Sequence, residues 1–200
     1  MPKMQHQFVG EFREGMPFLG GFLWIDFVNT TPVINGVVQD LIGTKPAVEQ
    51  WARQANIAMD ESAAIDPPSA LNALREQLAE AFDCLAASEL LPDTLIATVN
   101  GLIASSGIRL HLSTGDSAIR VDERLQLVGP PVATAVAWDF ARFLADFDHR
   151  RMRHCDNPAC VMQFYDVGKN NRRRWCTMSL CGNRDKVAQY RERKATARSA

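Results

Sequence analysis

Four of the chain's five cysteines fall within one short stretch, as Cys155-x4-Cys160, fifteen intervening residues, and Cys176-x4-Cys181, while Cys84 stands apart. Two matched pairs of thiols are the donor set of a closed tetrahedral zinc shell, which in proteins is structural and leaves no position open for catalysis. Pro158 and Gly182 are expected to bend the two ligand loops so that all four sulfurs face one point. The Cys-x-x-Cys pair of thiol–disulfide enzymes is missing, and His154 beside Cys155 is the alternative fourth ligand. The surrounding segment has few large apolar side chains (Phe164, Tyr165, Trp175, Val187, Tyr190), too few for a core of its own. One structural zinc ion should therefore supply much of its folding free energy, about 10–16 kcal/mol for modules of this kind.

Upstream of the cysteines, apolar periodicity predicts an α+β fold: a mainly helical N-terminal domain with a small antiparallel sheet, then the zinc module ending in a basic helix. The run from Phe18 to Thr30 is apolar on almost every side and reads as a buried helix. Thr44 and Pro46 open a helix that presents Val48, Trp51 and Ala55 on one face. Ser69 caps a longer one carrying Leu71, Leu74, Leu78, Phe82 and Leu85, with Cys84 on the same inward side, and Asp93 to Ser105 repeats the pattern. Alternation at Ile108–Ser113 and Ala118–Asp122, around a turn at Thr114-Gly115-Asp116, predicts a hairpin, to which Leu125–Val128 adds a third strand. After Gly129-Pro130-Pro131 a long helix runs almost to the first clustered cysteine, with Val132, Val136, Phe140, Phe143, Leu144 and Phe147 inward. Trp24, Trp51 and Trp138 read as core. The division expected is residues 1–148 and 149–200, held together without a flexible linker.

Charge separates the same two parts. The net charge of −1 conceals a surplus of +9 in residues 149–200 and of −10 in residues 1–148. Local positive charge is an argument for attraction to phosphate, whatever the whole-chain balance. Arg172, Arg173 and Arg174 lie between the ligand pairs. Arg184, Lys186, Arg191, Lys194 and Arg198 follow the last ligand on a segment free of Gly and Pro, which predicts a helix capped by Asn183, with Val187 and Tyr190 packed on the zinc core. Such a helix fits a DNA major groove, and the interleaved aromatics also suit RNA. The acidic body offers a second surface against which the basic tail can be masked.

Cys181-Gly182-Asn183-Arg184, approached by Arg173-Arg174-Trp175-Cys176 and by Phe164-Tyr165-Asp166, resembles the CGNR-type zinc finger of bacterial proteins over about Arg151 to Arg193. Leu23-Trp-Ile-Asp-Phe-Val-Asn-Thr30 is similar to the opening of the ABATE-type domain that accompanies that finger. The resemblance implies a stress-responsive transcriptional regulator with the four cysteines as zinc ligands. One departure is that Val167 follows Asp166 where members often show a hydroxyl residue.

These observations favour a nucleic-acid-binding regulator over a zinc-organised protein-interaction module. Asn29 and Thr30 are candidates to line the pocket of a small-molecule effector, with a buried cap or turn that satisfies backbone groups as the favoured alternative, and a homodimer is the default for such a regulator. An enzyme is disfavoured: there is no His-Glu-x-x-His, phosphate loop, Gly-x-Ser-x-Gly or zinc-deaminase motif. Asp26 interrupts the apolar N-terminal stretch, so neither a secretory signal nor a membrane span fits, and the chain is expected in the cytoplasm.

Overall fold

The computed structural model describes residues 11–58, 64–114 and 118–196. Four two-stranded antiparallel ribbons and six α-helices follow one another along these residues. The first ribbon, β1 (Glu11–Arg13) and β2 (Met16–Phe18), turns into α1 (Leu23–Val28), and β3 (Val33–Ile34) and β4 (Val37–Val38) come next. Then follow α2 (Lys45–Gln54), α3 (Pro68–Ala87) and α4 (Asp93–Ile103), a long ribbon of β5 (Gly107–Thr114) and β6 (Ile119–Gln126), and α5 (Pro131–Asp146). Beyond α5, a short 3-10 turn (His149–Arg151) leads into β7 (Met152–His154) and β8 (Gln163–Tyr165), and the described chain ends in α6 (Asn183–Thr196).

Of the apolar run Phe18–Thr30 only Leu23–Val28 is helical, Phe18 ending β2, and the helix's position explains its composition. Trp24, Ile25, Phe27 and Val28 are all buried, because α1 is threaded between α3, α5 and β8. Trp24 meets Phe82 of α3 at 5.9 Å and Phe140 and Phe143 of α5 at 5.1 and 5.2 Å between ring centroids. So short a helix cannot form on its own and needs its ends held. Asp139 of α5 accepts from the Trp24 N–H at 3.0 Å, and Asp26 accepts from the Gly20 N–H at 2.7 Å. Gly20 is obligatory here: a Cβ would come within 2.5 Å of Ile25 Cγ2 and 3.0 Å of the Asp26 nitrogen.

Buried polar groups tie the other elements to this centre. Arg75 on α3 forms a bidentate pair with Asp40 at 2.8 Å and donates to Thr30 Oγ1 at 2.8 Å, pinning the loop that follows α1. These hydrogen bonds from Arg75 hold the Asp40 carboxyl below the usual range. Asp66 accepts from the Val132 and Ala133 N–H groups and so caps α5 from a distance.

Several sequence expectations are corrected. The helix after Pro67 starts at Pro68, so Ser69 lies inside its first turn, and Thr44 bounds α2 without a side-chain capping bond. Pro68 at the first position of α3 and Pro46 at the second of α2 suit both starts, since no N–H is lost there that the helix would use. Leu125 and Gln126 complete β6, and Leu127–Val128 forms no third strand, so the described sheets are separate ribbons. The turn residues Gly115 and Asp116 lie outside the described residues. Trp24 and Trp51 are wholly buried, but Trp138 and Cys84 sit half-buried at the margin. No helix among the described residues is long and apolar enough to cross a membrane.

Burial pushes Asp139 up to about 7 and Asp26 up to about 8 against the opposing backbone hydrogen bonds. A carboxyl raised on folding binds more protons in the native state, so its stabilising effect is lost as pH climbs from the ordinary carboxylate range through the raised value. Thermal melts at saturating zinc should therefore show a falling Tm between about pH 6 and pH 8. Asp26→Asn should flatten that fall, measured by circular dichroism.

Candidate metal centre and basic surface

The four clustered cysteines converge. Their sulfurs lie within 4.8 Å of one another, with Cys160 to Cys176 at 3.8 Å and Cys176 to Cys181 at 3.6 Å. A tetrahedron with Zn–S of about 2.3 Å requires S···S of about 3.8 Å, so the geometry fits that ion with little adjustment. His154 is turned away, its Nε2 lying 3.0 Å from Asp83 on α3, and is not a fourth ligand.

Two local structures deliver the thiols. The β7–β8 ribbon carries the first pair: the Cys155 N–H bonds to the Met162 carbonyl, and Asn157 accepts from the Ala159 N–H and the Cys160 N–H. Pro158 fits this side-chain-stabilised turn. The second pair brackets a wide helical turn, Met178–Gly182, whose start is capped by Thr177 accepting from the Ser179 N–H. Asn183 does not cap: its side chain donates to the Ser179 carbonyl at 3.0 Å, and α6 continues the turn without a break. Gly182 is needed for room and not for an unusual backbone angle, because a Cβ would stand 2.8 Å from Met178 Sδ and 3.2 Å from Trp175 Cδ1.

The electrostatics of this cluster call for a cation. A hydrogen bond from Cys176 brings the Cys160 thiol down to about 5. The same bond, with burial and the nearby negative charge, drives Cys176 far up, while burial and the charge of Cys160 push Cys181 up to about 12. Like charges this close cannot all ionise unaided, and a bound divalent metal reverses that by deprotonating its thiol ligands. Four soft, partly dehydrated thiolates in a closed tetrahedron suit zinc.

Around the sulfurs is a small core of Met162, Phe164 and Trp175, completed by Leu19 from the N-terminal body. Strand alternation makes β8 a two-sided element: Phe164 faces the sulfurs, while Tyr165 enters the body edge-on to Phe22 at 5.2 Å and Phe143 at 5.7 Å. Asn29 locks the joint. Its amide donates to the Gln163 carbonyl at 2.8 Å and accepts from the Gln163 N–H at 2.9 Å, and the Tyr165 N–H bonds to the Gly20 carbonyl. Asn29 and Thr30 are thus buried with their side chains engaged internally, and neither lines the large cleft of the body. That cleft, about 880 Å³, is walled by Phe18, Phe22, Asp26, Ile57, Leu125 and Leu127 among others.

The arginines divide. Arg173 turns inward, stacking over Phe164 at 4.2 Å and donating to the Trp175 and Cys176 carbonyls, and its burial lowers its pKa. Arg172 is exposed, and Arg174 lies over Trp175 at 4.5 Å with its Nε on Asp156. Together with Trp175 and Met178 these line a groove of about 420 Å³. On α6, Arg184, Lys186, Arg191 and Lys194 are exposed, and no carboxylate among the described residues pairs with them. Val187 and Tyr190, expected against the zinc core, are 48% and 61% exposed. Among the described residues the helix packs chiefly on the turn that starts it. Arg198 lies outside the described residues.

Sequence reasoning passed over Asp166. It is wholly buried, accepting from the Gly168 N–H with one oxygen and the Arg173 N–H with the other, each at 2.8 Å, while Arg151 bonds to the carbonyls of residues 166 and 168. The loop after Asp166 is therefore the brace that aims the arginines. Its signal in the sequence was an acidic residue followed two positions later by glycine.

A closed four-thiolate site on a ribbon and a helix start, docked on a helical body, defines a zinc-finger protein with one structural zinc. Residues 21–146 match the ABATE family, titled "Putative stress-induced transcription regulator", and the chain belongs to that family. Residues 151–194 match the CGNR zinc finger. Comparison with curated proteins gives no match.

Chelation should release zinc and unfold the cysteine module while the helical body keeps its far-ultraviolet signal. Asp166→Ala takes the acceptor from two partly buried N–H groups and should cost about 1–2 kcal/mol, read as a lower chelator concentration at half-release.

Proposed function

We propose that this chain is a zinc-dependent transcription regulator that binds nucleic acid through its C-terminal module, with DNA as the preferred form. The observation that carries the reading is the set of exposed basic side chains on this module: Arg172 and the Asp156-paired Arg174 on the groove beside Trp175, and Arg184, Lys186, Arg191 and Lys194, which no described carboxylate pairs, on the projecting α6. The groove suits a phosphate backbone, with Trp175 at its wall, and a straight basic helix has the dimensions of a major groove. Zinc holds both in register but takes no part in chemistry, and the protein is a regulator and not an enzyme.

In this reading residues 1–148 act as a cytoplasmic sensor and residues 149–200 as the reader. The cleft of the body is the place for a small-molecule effector, because its wall is built from the same stretch, Phe18 to Asp26, that is continuous with Leu19 in the zinc core and Asn29 at the joint. The exposed Val187 and Tyr190 favour a second reading, in which α6 docks on a protein partner.

The test is binding of the zinc-loaded full chain to duplex DNA, single-stranded DNA and RNA across a salt series. Neutralising about six phosphates gives a logarithmic slope near −5, and chelation should abolish it. Arg172→Ala should shallow the slope by about one with zinc affinity intact. Arg173→Ala should instead weaken zinc retention. Absence of salt-dependent binding to any of the three would favour the protein-docking reading.

A further inference from the structure

We infer that the β5–β6 ribbon is the self-association surface of this protein, covered in solution by the same ribbon of a second copy. Its register pairs Ile108 with Leu125, Leu110 with Glu123, Leu112 with Val121 and Thr114 with Ile119. Directly paired residues share a face, so one side of the ribbon carries six aliphatic residues with Glu123 as its one charge and Thr114 at its end. The other side pairs Arg109 with Arg124, His111 with Asp122 and Ser113 with Arg120. The first face is the mainly apolar one.

Among the described residues that face is largely bare, apart from Leu125, which lines the edge of the body cleft. Leu110, Leu112 and Ile119 are 68%, 66% and 72% exposed, Val121 is 57% and Ile108 is 42%. The two strands pack chiefly on each other, and the base is anchored by the Val128 N–H on Ser106 Oγ at 2.9 Å. An isolated two-stranded ribbon is marginal in water, and three or more strands or a packed face are needed for stability. Free aliphatic surface on this scale also exceeds what scattered exposed residues explain.

The occupant is a second copy because the patch is self-complementary and of the right size. From these exposures each ribbon offers roughly 600 Å² of apolar surface, so two ribbons face to face bury about 1,200 Å², the lower bound of a specific interface. Two twisted ribbons stack as a small sandwich with their arginine-bearing faces outward in solvent. A two-fold axis places the Ile108 end of one ribbon over the Ile119 end of the other, satisfying both copies with one contact. The inference stands on the ribbon alone and does not depend on nucleic-acid binding, although a dimer would present two basic surfaces at once.

The experiment is sedimentation equilibrium of the zinc-loaded full chain across the micromolar range, wild type against Leu110→Lys. Lysine at 110 faces Glu123 across the ribbon and so suits the hairpin, but dimerisation would strip it of water. Wild type is expected to be dimeric and L110K to dimerise at least about 100-fold more weakly, with unchanged circular dichroism and zinc content. A photo-crosslinking residue at Val121 provides an independent readout: the product should join residues 107–126 of two chains. A monomeric wild type overturns the proposal and leaves the face to a different protein. A dimer that survives L110K and crosslinks elsewhere overturns it as well.

Discussion

The mutual repulsion of four thiolates crowded into one small volume governs the C-terminal quarter of this protein. Without a cation the Cys160 thiol is held low while Cys176 and Cys181 are driven upward. With zinc, repulsion becomes attraction and the hub is strong enough to organise a segment with hardly any core of its own. The ribbon, the wide turn before α6 and the loop braced by Asp166 all start or end within a few residues of a sulfur. Their geometry is the geometry of the metal, extended outward by short hydrogen bonds.

The hub also reaches into the body. Leu19 completes the zinc-side core, Tyr165 completes the body-side core, and Asn29 clamps the backbone between them. The clamp lies at the end of α1, whose start is fixed by Asp139 and whose loop is fixed by Arg75 and Thr30. Displacement of α1 therefore moves groups on both sides of the joint. Under the sensor function proposed above, α1 is the element that would link the cleft lined by Phe22 and Asp26 to the basic surface.

The zinc site was legible because its information is local: spacing and residue type suffice when four donors fall in one stretch. The helices were legible for a related reason, since a periodic apolar face as regular as Leu71, Leu74, Leu78, Phe82 and Leu85 has few alternatives. What could not be read were roles decided by partners distant in the chain. Asn29 read as a residue either open to a ligand or buried to satisfy backbone groups, and only Gln163, 134 residues away, which takes both ends of its amide, decides for the second. Arg173 looked like its neighbours Arg172 and Arg174, and only Phe164 and the Cys176 carbonyl reveal that it is internal. Val187 and Tyr190 were assigned to the zinc core by helical spacing, which identifies a face but not what lies opposite it. Thr177 replaces Asn183 as the cap because the helical chain begins five residues earlier, in a turn wider than the usual period.

The insertion of Leu19 has a consequence for how such proteins can diversify. Zinc fingers are commonly pictured as cassettes, free to be moved from one chain to another because the metal makes each self-sufficient. Here the cassette is missing a wall, and the neighbouring fold supplies it. Inheritance must then treat the pair as a unit: a change in the stretch before α1 is tolerated only if the finger accepts it, and recombination at the boundary separates a lock from its key.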